Sequence, residues 1–240
     1  MRLALECPTR LLGHVQPMAD FDFVLAHLVL QDEQYAEHYR KSKKVKFVDN
    51  SVNELGEPGS LEDMATAMEA VGGNYIISPD WLGQRGKTVE AYQECVKRFG
   101  KEYTVGVLQG RSFEEALACA SVYKGSMIAV PYDVCSSKED SPEVMALRRI
   151  AVVDRLPVDT GIHLLGFTTL EELEMYAGFS HVMSIDTGVP VLMGLQETSI
   201  LDGIQDKSQP TMVQMEDLEM SQSGWTAVCL NIALLRRYMP

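Results

Sequence analysis

Residues 44–56 read KVKFVDNSVNELG, and the fold turns on how this stretch is understood. Val45, Phe47 and Val48 form a short apolar run that ends abruptly in Asp49, Asn50, Ser51 and Asn53. A short apolar run bounded by polar residues is the pattern of a strand buried on both faces. Its far end then carries a carboxylate and three hydrogen-bonding side chains. Three further runs follow the same plan: NYIISPDW (74–81) ends in Asp80, YTVGVLQG (103–110) in Gln109, and HVMSIDTG (181–188) in Asp186. Four strands that each deliver a polar group at the same end imply one shared pocket.

The segments between these runs read as helices. Pro17 to about Lys43 reads as one long helix, with Phe21, Val24, Leu25, Leu28 and Val29 at three- and four-residue spacing. Ser60 with Asp63 opens another that stops at Gly72-Gly73, and Ser112 with Glu115 has the form of a capping box. Pro142–Leu156 starts with proline at a favourable first position. Residues 2–16 supply a first strand and a turn, SMIAVP (126–131) and IHLLG (162–166) two more strands, Thr169–Ala177 a short helix, and Trp225–Tyr238 a closing helix. Residues 187–222, rich in Gly, Ser, Gln and Met, read as irregular and mobile. The alternation predicts an α/β fold: a (β/α)8 TIM-type barrel over 1–240 as a single domain, with about seven or eight strand–helix units and a site at the C-terminal strand ends. A doubly wound open sheet is the alternative.

Bulk properties narrow the function. Of 240 residues, 46% are apolar and 23% charged, an ordinary globular balance. No apolar run is long enough to span a bilayer, so no membrane role is expected. The opening MRLALECPTR is interrupted too early by Glu6 to act as a signal peptide, and a cytoplasmic protein is expected. Five cysteines and five histidines are dispersed without any Cys-x-x-Cys, so neither disulfides nor a metal site is expected. His163 and His181, each beginning an apolar run, read as structural. The net charge of −13 argues against binding nucleic acid over the whole surface but leaves room for a basic rim around a pocket.

Two aspartates at one barrel mouth can divide labour, one attacking an anomeric carbon while the other moves a proton. Each aspartate alone reads equally well as the N-cap of the following helix. The ordered set Asp49-Asn50-Ser51, Pro79-Asp80, Val107-Leu108-Gln109-Gly110, His163-Leu164-Leu165-Gly166 and Ile185-Asp186 resembles the tRNA-guanine transglycosylase superfamily. Within it, the short length and the VDNS variant are most similar to the bacteriophage DNA 7-deazaguanine transglycosylases. The resemblance covers roughly residues 44–190 and rests on the ordered set, no single motif being specific.

It implies a pentosyltransferase that exchanges guanine in DNA for a 7-deazaguanine base such as preQ0 or preQ1, shielding phage DNA from restriction nucleases. By resemblance, Asp186 is the nucleophile at C1′ and Asp49 the acid/base residue. Asp80, Gln109 and Asn50 read the base, with Leu165 and Gly166 lining its pocket. No metal or redox cofactor is implied. A guanosine in a duplex has to be flipped out to be attacked. Arg85, Lys87 and Arg111, which follow Asp80 and Gln109, are placed to hold the flanking phosphates.

The chain departs from the superfamily in three respects. The zinc-binding subdomain is absent, and Gly188-Val189-Pro190 follows Asp186 where tRNA enzymes carry Pro-Thr-Arg. SMIAVP also lacks the paired glycines expected near the base, which leaves base preference open. A tRNA-modifying enzyme and a non-catalytic base-binding barrel are the alternatives.

Overall fold

The computed structural model describes residues 1–137, 139–202 and 209–240. Eight strands form one parallel sheet: β1 (Arg2–Leu5), β2 (Asp22–Leu25), β3 (Lys46–Asp49), β4 (Tyr75–Ile77), β5 (Thr104–Val107), β6 (Met127–Pro131), β7 (Ile162–Leu165) and β8 (Val182–Thr187). Their order, β1-β8-β7-β6-β5-β4-β3-β2, is that of a (β/α)8 barrel. Burial is nearly complete along β2, β3 and β5, because helices cover the outside while side chains fill the inside.

The ladder lapses between β1 and β2, and a side chain closes that seam. Asp20 N–H donates to the Leu3 carbonyl at 2.7 Å, and Leu3 N–H donates to Asp20 Oδ2 at 2.8 Å. Arg236, in the last turn of the closing helix Gln222–Tyr238, pairs with Asp20 Oδ1 at 3.0 Å and donates to Met18 O at 2.6 Å. The C-terminal helix is thereby tied to the point where the barrel would otherwise gape.

Two sequence expectations are corrected. Pro17–Lys43 is not one helix: it contains β2, followed by helices Ala26–Gln31 and Glu33–Lys41. Phe21, Val24, Leu25 and Val29 match a helical period, yet Asp22–Leu25 is a strand buried along its whole length, its one polar residue Asp22 included, so no polar alternation betrays it. The chain breaks at Asp32, which caps the second helix by accepting from the N–H groups of Gln34 and Tyr35. Nor are residues 187–222 irregular throughout. Helices Val189–Leu195 and Thr211–Met215 lie there, and the first is wholly buried. Residues 203–208, part of the segment read as mobile, lie outside the described residues.

The expected caps form at Ser60 and Ser112, and Ser141 adds a third: each accepts from the N–H group three residues on. Among the described residues, no helix is long and apolar enough to cross a membrane.

Candidate active site

Side chains two apart on a strand share a face. In β3 this sets Phe47 and Asp49 together, and in β8 Ser184 and Asp186. The lower member packs inside the barrel and the upper one opens onto its mouth. A cavity of about 370 Å³ lies there, within the range of small-ligand pockets. Asp49, Asp80, Gln109, Leu165, Gly166 and Asp186 all line it. Residues drawn from five strand ends and nearly 140 positions of chain thus meet in one place.

Asn50 takes a different position. It is buried, donates to Asp80 Oδ1 at 2.8 Å and to Ser78 O at 2.9 Å, and accepts from Val52 N–H at 2.9 Å. With its amide engaged at both ends, it braces Asp80 from behind instead of lining the cavity. Gln109 donates to Asp80 Oδ2 at 2.7 Å and accepts from Gly83 N–H at 2.9 Å. Asp80 is therefore oriented by one amide on each oxygen. Burial nevertheless outweighs both amides and lifts its carboxyl from 3.8 to about 6, with Asp133 adding repulsion.

Asp49 accepts from Ser51 N–H at 2.7 Å in a turn that forces Ser51 to φ +62°, a left-handed conformation uncommon for serine. Such strain persists where the surroundings hold it in place, frequently at functional sites. Burial pushes Asp49 well above the ordinary carboxylate range, and the charges of Glu54, Asp186 and Asp80 push the same way.

Among the described residues, Glu6, Glu54 and Asp133 complete the carboxylates of the cavity lining. Glu6 is the first residue after β1, where its N–H donates to Thr187 O at 3.1 Å. It is half-buried and faces the cavity, and its carboxyl is raised well above the ordinary range, first by burial and then by Asp186, Glu54 and Asp49. Glu54, in the helix Val52–Leu55, is raised by burial and by Asp186. Carboxyls so close cannot all be ionised together. Glu6 and Asp49 are shifted toward the protonated form, which makes proton donors available beside Asp186.

His163 was read from the sequence as structural. It is fully buried, and its ring stacks on Phe23 at 5.6 Å and lies near Phe47 at 5.3 Å. Yet its Nε2 lies 3.0 Å from Asp186 Oδ1 and its Nδ1 3.0 Å from Ser184 Oγ.

Arg85, Lys87 and Arg111 are exposed on the segments that follow β4 and β5, and none lines the cavity. Lys87 Nζ sits 5.8 Å from the centre of the Trp81 ring. Leu82, which does line the cavity, is 63% exposed beside them. No lysine, arginine or histidine is part of the lining among the described residues. The cavity lining is thus acidic, and Arg85, Lys87 and Arg111 lie outside it. Among the described residues, no group of three or more His, Cys, Asp or Glu is arranged to hold a metal ion.

Glu6 and Asp133 were detectable in the sequence, since LALE and AVPYD end in a carboxylate just as KFVD does. Glu54 was not, because its position depends on the turn at Ser51. The chain matches no family model, and no curated protein matches its sequence.

Proposed function

We propose that this barrel is a transglycosylase that replaces guanine in nucleic acid, DNA in the first instance, with a 7-deazaguanine base. One observation carries the reading. Asp186, Asp49 with its carboxyl raised by burial, and the braced Asp80–Gln109 pair face one base-sized cavity at the C-terminal mouth of the barrel. The ordered motifs that resemble the guanine transglycosylases supply these same residues.

In this mechanism an Asp186 oxygen attacks C1′ of a flipped nucleotide and forms a C1′–O ester bond. The C1′–N9 bond breaks, and its electron pair leaves with guanine, which takes the Asp49 proton. Asp49 then accepts the N9 proton of the incoming 7-deaza base. That base's N9 electron pair forms the new bond to C1′, and the ester electrons return to Asp186. A carboxyl raised by burial suits Asp49 to both transfers, because it keeps its proton more readily than an ordinary carboxyl and can take one back. Asp80 accepts from N–H groups on the guanine edge while Asn50 and Gln109 keep it in place.

The division of charge supports a base entering alone. The lining, which among the described residues carries six carboxyl groups and no cation, disfavours phosphate, whereas an uncharged base meets no such repulsion. Flanking phosphates then fall to Arg85, Lys87 and Arg111 at the rim. The net charge of −13 favours a second reading, a base-binding barrel without catalysis.

Nucleoside mass spectrometry separates these readings, using DNA and tRNA incubated with a panel of 7-deazaguanines and either wild type or Asp186→Ala. A 7-deazaguanine nucleoside in DNA with wild type alone supports the proposal. Incorporation into tRNA alone moves the substrate to RNA. No incorporation into either, with base binding retained by both proteins, supports the non-catalytic barrel.

A further inference from the structure

Beneath the candidate nucleophile lies a polar line inside an otherwise apolar barrel. β7 and β8 pair with His163 opposite Ser184 and Leu165 opposite Asp186. Ser184 and Asp186, two apart on β8, point to the same side, and the His163 ring bridges them through its two nitrogens at 3.0 Å each. All three side chains are at least nine-tenths buried. The ring is enclosed by Phe21, Phe23 and Phe47, with no other ionisable group among its ring contacts.

A carboxylate offers only acceptor atoms. A bare Nε2 at 3.0 Å would set its lone pair against those of Asp186 Oδ1, so Nε2 carries the hydrogen. Nδ1 is then the acceptor of the neutral ring, and Ser184, whose hydroxyl can rotate, donates to it. The Nε2–Oδ1 approach is close but not in line for a full hydrogen bond. Such contacts commonly tighten only when substrate is bound.

We propose that His163 is the positioning residue of the Asp186 nucleophile: through Nε2–H it holds one carboxylate oxygen, directs the other to the cavity, and stabilises the negative charge that returns to Asp186 when the glycosyl ester is displaced. This role rests on the transglycosylase reading. Displacement is where it acts, because there the C1′–O bond breaks and its electron pair goes back to Asp186. A fixed donor aimed at developing negative charge in a water-excluded site is worth on the order of 10²-fold in rate. The surrounding groups raise that need. Glu6 beyond β1, Asp49 at the end of β3 and Glu54 in the helix after it are acidic groups close enough to Asp186 for its charge to raise them, so negative charge gathering there is disfavoured. His163 offers Asp186 a donor that is not itself an acid.

Two measurements test the role. In ¹⁵N-histidine NMR of the whole protein, signals lost in His163→Phe identify the ring. The expected result is a proton on Nε2, with a shift that moves in Asp186→Asn and a Nδ1 shift that moves in Ser184→Ala. A Nδ1–H tautomer, or an Nε2 indifferent to Asp186→Asn, overturns the pairing, whatever the enzyme's activity. In base-exchange kinetics, His163→Phe, whose ring fits the aromatic cage, is expected to lower kcat about 10²-fold with little change in KM, and covalent glycosyl-enzyme accumulates. His163→Gln, which restores a donor, recovers part of the rate. Wild-type kcat in His163→Phe, or equal loss in both variants without adduct, refutes the role. A wild type that exchanges no base refutes the transglycosylase reading and this role in it, while the NMR still decides the pairing.

Discussion

Breaking the ion pair between Arg149 and Glu172 should cost more stability than any change at the rim. Arg149 lies in the helix Pro142–Val153 and is fully buried, as is Glu172 in the helix Leu170–Met175. The guanidinium meets Glu172 Oε1 at 3.2 Å and donates to Val130 O at 2.6 Å and Gly166 O at 2.8 Å. Glu172 in turn accepts from Thr168 N–H at 2.9 Å, Thr168 Oγ1 at 2.8 Å and Tyr176 OH at 3.0 Å. One buried pair therefore pins the exits of β6 and β7, including the Gly166 edge of the cavity. Arg149→Met leaves a buried carboxylate without its cation and two carbonyls without their donor, a loss of about 3–5 kcal/mol. Replacing both partners, as in Arg149→Met with Glu172→Leu, removes the stranded charge, so the double variant should lose less than the two single losses added together. Urea unfolding followed by circular dichroism measures all four proteins, with a common slope confirming that midpoints are comparable. A loss below about 1 kcal/mol in Arg149→Met, or strict additivity in the double variant, would show that water reaches the pair and that burial is not what gives it value.

Two further outcomes are expected from the same measurements. Asp80 moves from 3.8 when unfolded to about 6 when folded, so between these values the folded state binds more protons and stability falls as pH rises. Its share approaches about 3 kcal/mol above pH 6. Asp80→Asn should flatten unfolding free energy against pH across this window, while lowering the low-pH baseline because its amide faces the donors of Asn50 or Gln109. An unchanged slope would remove Asp80 as its source. Gly194 meets the helix Gln222–Tyr238 so closely that a Cβ would come within 2.5 Å of the Val228 backbone. Gly194→Ala should therefore cost about 1–3 kcal/mol by overpacking, and a wild-type urea midpoint would mean that the helix Val189–Leu195 is free to shift.

Sequence and structure divide the barrel along physical lines. Seven strands were legible because each is a short apolar run bounded by polar or turn residues, a pattern set by local burial alone. β2 was not, since Phe21–Leu25 carries apolar residues on both faces and its neighbours continue the run at helical spacing. Only pairing with β3, Phe23 opposite Phe47 and Leu25 opposite Asp49, makes it a strand. The helix Val189–Leu195 was missed for a related reason: its stability comes from burial against Gln222–Tyr238, contacts made over about thirty residues of chain.

The site divides in the same way. Asp49, Asp80, Gln109 and Asp186 were readable as strand-end polar groups, because a barrel brings the ends of parallel strands together whatever loops intervene. Their number, order and chemical type were determined by sequence alone. What the folded molecule decided is which groups share an electric field and which side chain touches which. Asn50 turned behind Asp80, Glu54 was carried into the cavity by the left-handed Ser51, and a buried histidine was set against Asp186. Distance and burial decide the protonation of a carboxyl and the aim of a nucleophile, and both arise only when remote strands close into a barrel.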